Sequence, residues 1–177
     1  MQQADDPESY FRQMKQAAQK GDAVAQAELG YAYMLGCGVK RDVVEGGVWV
    51  TKAAEGGNIE AQYTLGVYAE LGIFGFRKDH ARAVELYRET ALQGSMKAQL
   101  RLGELYAAGE IVEKDEAEAA AWYRPAAAKG ETKAVEALFE LATDYMKWPM
   151  GKQDAFRAAF HRPLPGCRDK AEMVLAL

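Results

Sequence analysis

The side chains able to do metal or nucleophilic chemistry are few in this chain and far apart in sequence. The histidines are His80 and His161, and the cysteines are Cys37 and Cys167. A metal centre usually takes three or four ligands, often in closely spaced pairs, and no CxxC or HExxH spacing is present. Cys37 sits in Gly-Cys-Gly, which reads either as a nucleophile or, more simply, as a helix-ending turn with a spare thiol. His80 and His161 read as structural residues beside a helix start and a proline turn. There is no GxSxG, no Walker loop and no dinucleotide-binding glycine pattern. Aspartate and glutamate are frequent, but no pair is fixed by spacing as an acid–base couple. The expectation is a chain with no catalytic residues, no metal ligands and no cofactor.

The totals exclude further classes. A net charge of −4 over 177 residues, without a long basic stripe, gives no nucleic-acid footprint. The segment from Tyr145 onward is mildly basic and reads as a solvated surface. No run approaches the roughly 20 apolar residues of a membrane span. The start, Met-Gln-Gln-Ala-Asp-Asp, lacks a signal-peptide pattern. It resembles the polar start of a mature exported protein with Met1 added, so the expected location is periplasmic or secreted, with the cytoplasm as the alternative. Two cysteines 130 residues apart allow one exposed disulfide but no disulfide framework.

What the chain does have is a repeat. Gly21, Gly57, Gly94 and Gly130 follow one another at intervals of 36, 37 and 36 residues. The same register aligns Ala25, Ala61, Ala98 and Ala134, and Leu29, Leu65, Leu102 and Leu138. It also aligns Gly30, Gly66 and Gly103; Gly36, Gly72 and Gly109; and Asp42, Asp79 and Asp115. Each unit reads as two helices. In the first, helix A shows Ala25, Leu29, Ala32 and Tyr33 on one face and ends at Gly36, a residue suited to a left-handed cap. Asp42 then caps helix B, whose tryptophan column, Trp49 and Trp122, reads as core. The extra residue of the second unit falls in Gly-Ile-Phe-Gly-Phe-Arg-Lys-Asp, and therefore in a loop. Ile73, Phe74 and Phe76 there either anchor a partner or fold beneath the loop.

A glycine in mid-helix costs roughly 1 kcal/mol against alanine. Gly30, Gly66 and Gly103 each follow a core leucine, so the loss is offset if two backbones approach closely there. Phe139 follows Leu138 instead, as expected where the stack ends against an irregular tail. The predicted layout is a single domain over 1–177. It has an N-terminal helix at 7–21, repeats at 22–57, 58–94 and 95–130, a last A-type helix at 131–147 and a C-terminal cap at 148–177. Two weak helices are expected in that cap, near Gln153–His161 and Arg168–Leu175.

Three stretches, "AQAELGYAY", "AQYTLGVYA" and "AQLRLGELY", together with the helix B sequence "AEAAAWYRPAAAKG", resemble the Sel1-like repeat family over about Asp22 to Tyr145. Unit one departs at Glu45-Gly46-Gly47, where the family favours Lys-Ala, and unit two has Leu86 in place of tryptophan. The resemblance implies an all-α fold, a right-handed superhelix of paired helices, that binds another protein on a concave face lined by the A helices. Helical geometry beside the core columns then selects Tyr31 and Met34, then Tyr63, Val67 and Glu70, then Leu100 and Glu104, and last Glu140 as partner-binding residues. The stripe begins aromatic and ends acidic; the competing reading is that its apolar members pack between A helices. The function implied is a non-catalytic binder. A more specific version is an exported bacterial immunity protein that neutralises a secreted antibacterial lipase. The alternatives are an enzyme acting on cell-wall or β-lactam substrates, like cysteine-rich members of the family, and an envelope or signalling adaptor.

Overall fold

The computed structural model describes residues 7–145 and 147–160. Nine helices occupy them: α1 (Pro7–Gln19), α2 (Ala23–Leu35), α3 (Val43–Glu55), α4 (Ile59–Leu71), α5 (His80–Leu92), α6 (Met96–Ala108), α7 (Glu116–Ala128), α8 (Thr132–Tyr145) and α9 (Met150–Phe160). No strand occurs among the described residues, so the fold class is all-α, as expected. The chain divides into two compact units, residues 1–86 and 87–177, with the division inside α5.

The punctuation of these helices is written in the sequence. Gly36, Gly72 and Gly109 close α2, α4 and α6 at φ 78, 67 and 72, a left-handed conformation glycine enters without steric cost. In each case the cap N–H reaches back to a carbonyl one turn earlier, on Ala32, Tyr68 or Leu105. Asp42 then accepts from the N–H groups of Val44 and Glu45, and Asp115 from those of Ala117 and Glu118. These bonds satisfy donors that the first turn leaves open. The basic residues just before the caps, Lys40, Arg41, Arg77, Lys78 and Lys114, are exposed, although Arg41 also turns its Nε to the Met34 carbonyl at 2.9 Å.

A second repeated device was visible only as the pair Ala-Gln. Gln26, Gln62 and Gln99 each donate their side-chain amide to a carbonyl at the end of the preceding helix, on Ala18, Ala54 and Ala91, at 3.1, 3.1 and 3.0 Å. Each ties helix A to a carbonyl the preceding helix cannot satisfy internally.

In the first unit, α2 and α3 run antiparallel, and the glycines explain how closely. A methyl group on Gly30 would stand 2.7 Å from Val50 Cγ2 and 2.9 Å from the Gly46 carbonyl oxygen. One on Gly46 would stand 2.7 Å from the Gly30 carbonyl oxygen and 2.6 Å from Met34 Cγ. The glycine pair therefore lets two backbones meet, as the sequence argument required. Gly47 serves the opposite side: the Phe76 ring lies 3.1 Å from where its Cβ would be. Phe74 and Phe76 also pack against Tyr68, one edge-on and one tilted, with ring centroids 4.9 and 5.4 Å away. The loop aromatics thus fold beneath the loop, and the choice left open by the sequence falls on that side.

In the second unit, Trp122 and Leu102 are fully buried, and Gly103 faces the Tyr123 ring, whose Cζ would be 2.8 Å from an added methyl. Trp49, read as core, is half-buried at the rim of the first unit's core. Its indole N–H goes to Glu45 at 2.8 Å, as that of Trp122 goes to Glu118 at 3.1 Å. Helix α9 follows the break at Pro149; Tyr145, Trp148 and Phe156 cluster there, with ring centroids 5.3–5.9 Å apart. The second weak helix expected in the tail lies outside the described residues, as do His161 and Cys167.

Candidate interaction surface

The residues selected from sequence separate by unit and by burial. In the first unit Tyr31 is half-buried and bonded to Thr64 at 3.0 Å. The Thr64 hydroxyl hydrogen goes to the Glu60 carbonyl at 2.8 Å, so the Tyr31 hydroxyl is the donor. Tyr63 and Val67 are likewise half-buried. Met34 and Glu70 require correction. Met34 is only 3% exposed; its sulfur accepts the Tyr68 hydroxyl at 2.9 Å and its Cγ lies over Gly46. Glu70 is 8% exposed. Both point inward because α2 and α4 are buried over more than the single face the pattern assumed.

In the second unit Leu100 and Glu104 are half-buried and Glu140 is exposed. Glu104 is paired with Arg101 at 2.9 Å. The structure brings Glu104 and Glu140 to a common neighbour that sequence reasoning missed, Tyr123. Burial first, then the charges of these two carboxylates, push its phenol up to about 12. Burial, with Tyr31 nearby, raises Tyr68 likewise to about 12.

Sequence reasoning also missed a groove between α1 and α2. Tyr10, Phe11, Met14, Tyr31 and Leu35 line about 360 Å³ of mostly apolar space, with Glu28 beside them. Tyr10 donates its hydroxyl to Glu28 at 3.1 Å; that hydrogen bond and the carboxylate's charge hold the phenol above its ordinary range. The signal was available, since Gly21 ends the opening helix in the same register as Gly57, Gly94 and Gly130 and so makes that helix a neighbour of α2. A second hollow of about 430 Å³ lies between α8 and α9, lined by Leu138, Phe139, Leu141, Ala142, Tyr145, Phe156 and Arg157. Phe139, expected to meet the tail, is 70% exposed.

Cys37 is an exposed free thiol in the turn after α2, and His80 opens α5. Among the described residues no three His, Cys, Asp or Glu side chains come together to hold a metal. None of the described helices is long and apolar enough to cross a membrane.

Comparison with known proteins agrees with this architecture. The model of the Sel1 repeat matches residues 23–58, 59–95 and 97–131. A solved Sel1 repeat protein from Oxalobacter formigenes is similar over 75% of this chain and 54% of its own, at 34% identity and a TM-score of 0.71. A protective antigen of uropathogenic Escherichia coli with an SLR fold is similar over 70% of this chain and 26% of its own, at 39% identity and a TM-score of 0.66. The Arabidopsis thaliana protein HRD3A, an ERAD-associated E3 ubiquitin-protein ligase component, is 34% identical over 56 residues. That match spans 32% of this chain and 8% of the plant protein.

Proposed function

The chain belongs to the Sel1 repeat family, whose members are protein-interaction modules of the helix-pair solenoid class, and from that premise we propose that it is a non-catalytic binder that captures one partner protein. The observation that carries the reading is the half-buried aromatic and aliphatic set on A-type helices, Tyr31, Tyr63 and Val67 in the first unit and Leu100 in the second, with Glu28 beside Tyr31 and Glu104 one turn after Leu100. Rings already held by packing lose little entropy on binding and make good anchors. Nearby charge adds orientation and partner choice. The two solved relatives are bacterial proteins. In keeping with them, the finer form of the proposal is an exported immunity protein, periplasmic or secreted, that blocks a secreted antibacterial lipase.

The test is capture from an extract of the native cell on the immobilised full chain, followed by mass spectrometry. Tyr63→Ala with Val67→Ser in the first unit, or Glu104→Lys in the second, lowers recovery of the partner at least tenfold while thermal stability is kept. Equal recovery by both variants removes the A-helix face as the binding surface. For the immunity form, the captured protein is assayed for lipase activity with and without the chain, and unaltered lipid hydrolysis sinks it. Hydrolysis of a cell-wall or β-lactam substrate by the purified chain would overturn the non-catalytic reading.

A further inference from the structure

The groove between α1 and α2 has a composition that selects an occupant. Its walls are aromatic and aliphatic, and among the described residues Glu28 is the one charged side chain along it. Among the described residues Glu28 has the Tyr10 hydroxyl as its hydrogen-bond partner and no cation. A phenol donates one hydrogen, so Tyr10 fixes the carboxylate and leaves lone pairs free to accept more. Leu35, on the same wall, is 72% exposed, and Tyr10 is 52% exposed. An apolar trough with aromatic faces and one oriented carboxylate suits a long cationic side chain. The aliphatic stem lies on apolar surface, the head meets the carboxylate in a charge-assisted bond, and ring faces attract the same charge.

We infer that this groove is a docking site for a segment of the partner protein that carries a lysine or arginine next to an apolar side chain, the cation on Glu28 and the apolar residue against Tyr31 and Leu35. This rests on the binding-module reading and adds the partner's chemistry to it. The electrostatics fit in sign: a groove whose charge is a lone carboxylate repels an acidic segment and gives a neutral one nothing to pair with.

The experiment selects a phage-displayed library of random dodecapeptides on the immobilised full chain. The best peptide is then measured by fluorescence anisotropy. Enriched peptides are expected to carry Lys or Arg within four positions of Leu, Ile, Phe or Trp. Glu28→Gln, which retains an acceptor for Tyr10, weakens the peptide at least tenfold, and Leu35→Ser does the same. Phe139→Ser, in the other unit, leaves affinity unchanged. Raising salt from 50 to 500 mM weakens binding to the wild type more than to Glu28→Gln. Enrichment of acidic or neutral peptides, no enrichment, or equal affinity for the wild type and Glu28→Gln overturns the proposal. The two readings fail separately. If the wild type and Glu28→Gln capture the same native partner equally well, only the groove is lost; if the wild type captures nothing from its native extract, the binding module itself is lost.

Discussion

In the α2–α3 pair glycines stand on both sides of the contact, whereas in the α6–α7 pair Gly103 faces Tyr123 and the column that holds Gly46 holds Ala119. The first contact is backbone against backbone, with Gly30 and Gly46 each close to the other's carbonyl. The second is backbone against ring. One sequence column, the glycine after the core leucine, therefore serves two physical ends: it removes a side chain so that main chains can meet, or it leaves room for an aromatic side chain that supplies its own burial.

Substitutions can break that comparison. Gly30→Leu has the largest expected effect, about 3 kcal/mol, at the upper end of overpacking costs, because Val50 and the Gly46 carbonyl leave nowhere for the side chain to go. Gly46→Ala is expected to cost about 2 kcal/mol despite the gain in helix propensity. Trimming Val50 to Ala should not rescue Gly30→Ala, since a carbonyl 2.9 Å away cannot be trimmed. Urea unfolding reads both, and a clear rescue would make the two repeats equivalent. Gly103→Ala should cost less, about 1–2 kcal/mol. It should also couple to Tyr123→Leu by at least about 1 kcal/mol in a double-mutant cycle. Additivity there would mean that the ring is not the obstacle.

Two buried phenols sharpen the contrast. Tyr68 and Tyr123 are both held at about 12 against an ordinary 10. Below pH 10 both are protonated whether the chain is folded or not, so the stability is fully present there. As pH rises from 10 to 12 the unfolded phenols ionise while the folded ones resist, and that stability is lost. The melting temperature should fall across this window, less steeply in Tyr68→Phe or Tyr123→Phe. Glu104→Gln with Glu140→Gln should lower the Tyr123 titration, followed by ultraviolet absorbance, and leave Tyr68 in place. The smallest effect expected is Tyr31→Phe, about 0.5–1.5 kcal/mol for one lost hydrogen bond to Thr64.

The periodic parts of the molecule were legible before any coordinates. Glycine caps and aspartate N-caps are local events, and the repeat spells them out three times; the close approach expected at the glycine after the core leucine is met at Gly30, while Gly103 meets a ring instead. The site was less so. A stripe drawn from helical spacing assumes one buried face, and Met34 and Glu70 fail that assumption because α2 and α4 are covered on more than one side. Tyr10 and Glu28 escaped notice because their bond joins residues 18 apart on two helices, and no spacing rule states which side chains of α1 and α2 meet. Tyr123 escaped because its role depends on carboxylates from α6 and α8, whose distance no spacing rule states.

Repeat chains are often treated as strings of interchangeable beads. The Phe76 ring resting on Gly47 makes these beads non-identical, since the longer linker of one packs closely on a neighbour that lacks a side chain at that spot. Shuffling the units, or duplicating the first, would set an alanine-sized bump against the phenyl ring or leave a void where it belongs. The order of the array is thus written into its contacts, and a designer extending it would have to move both features together.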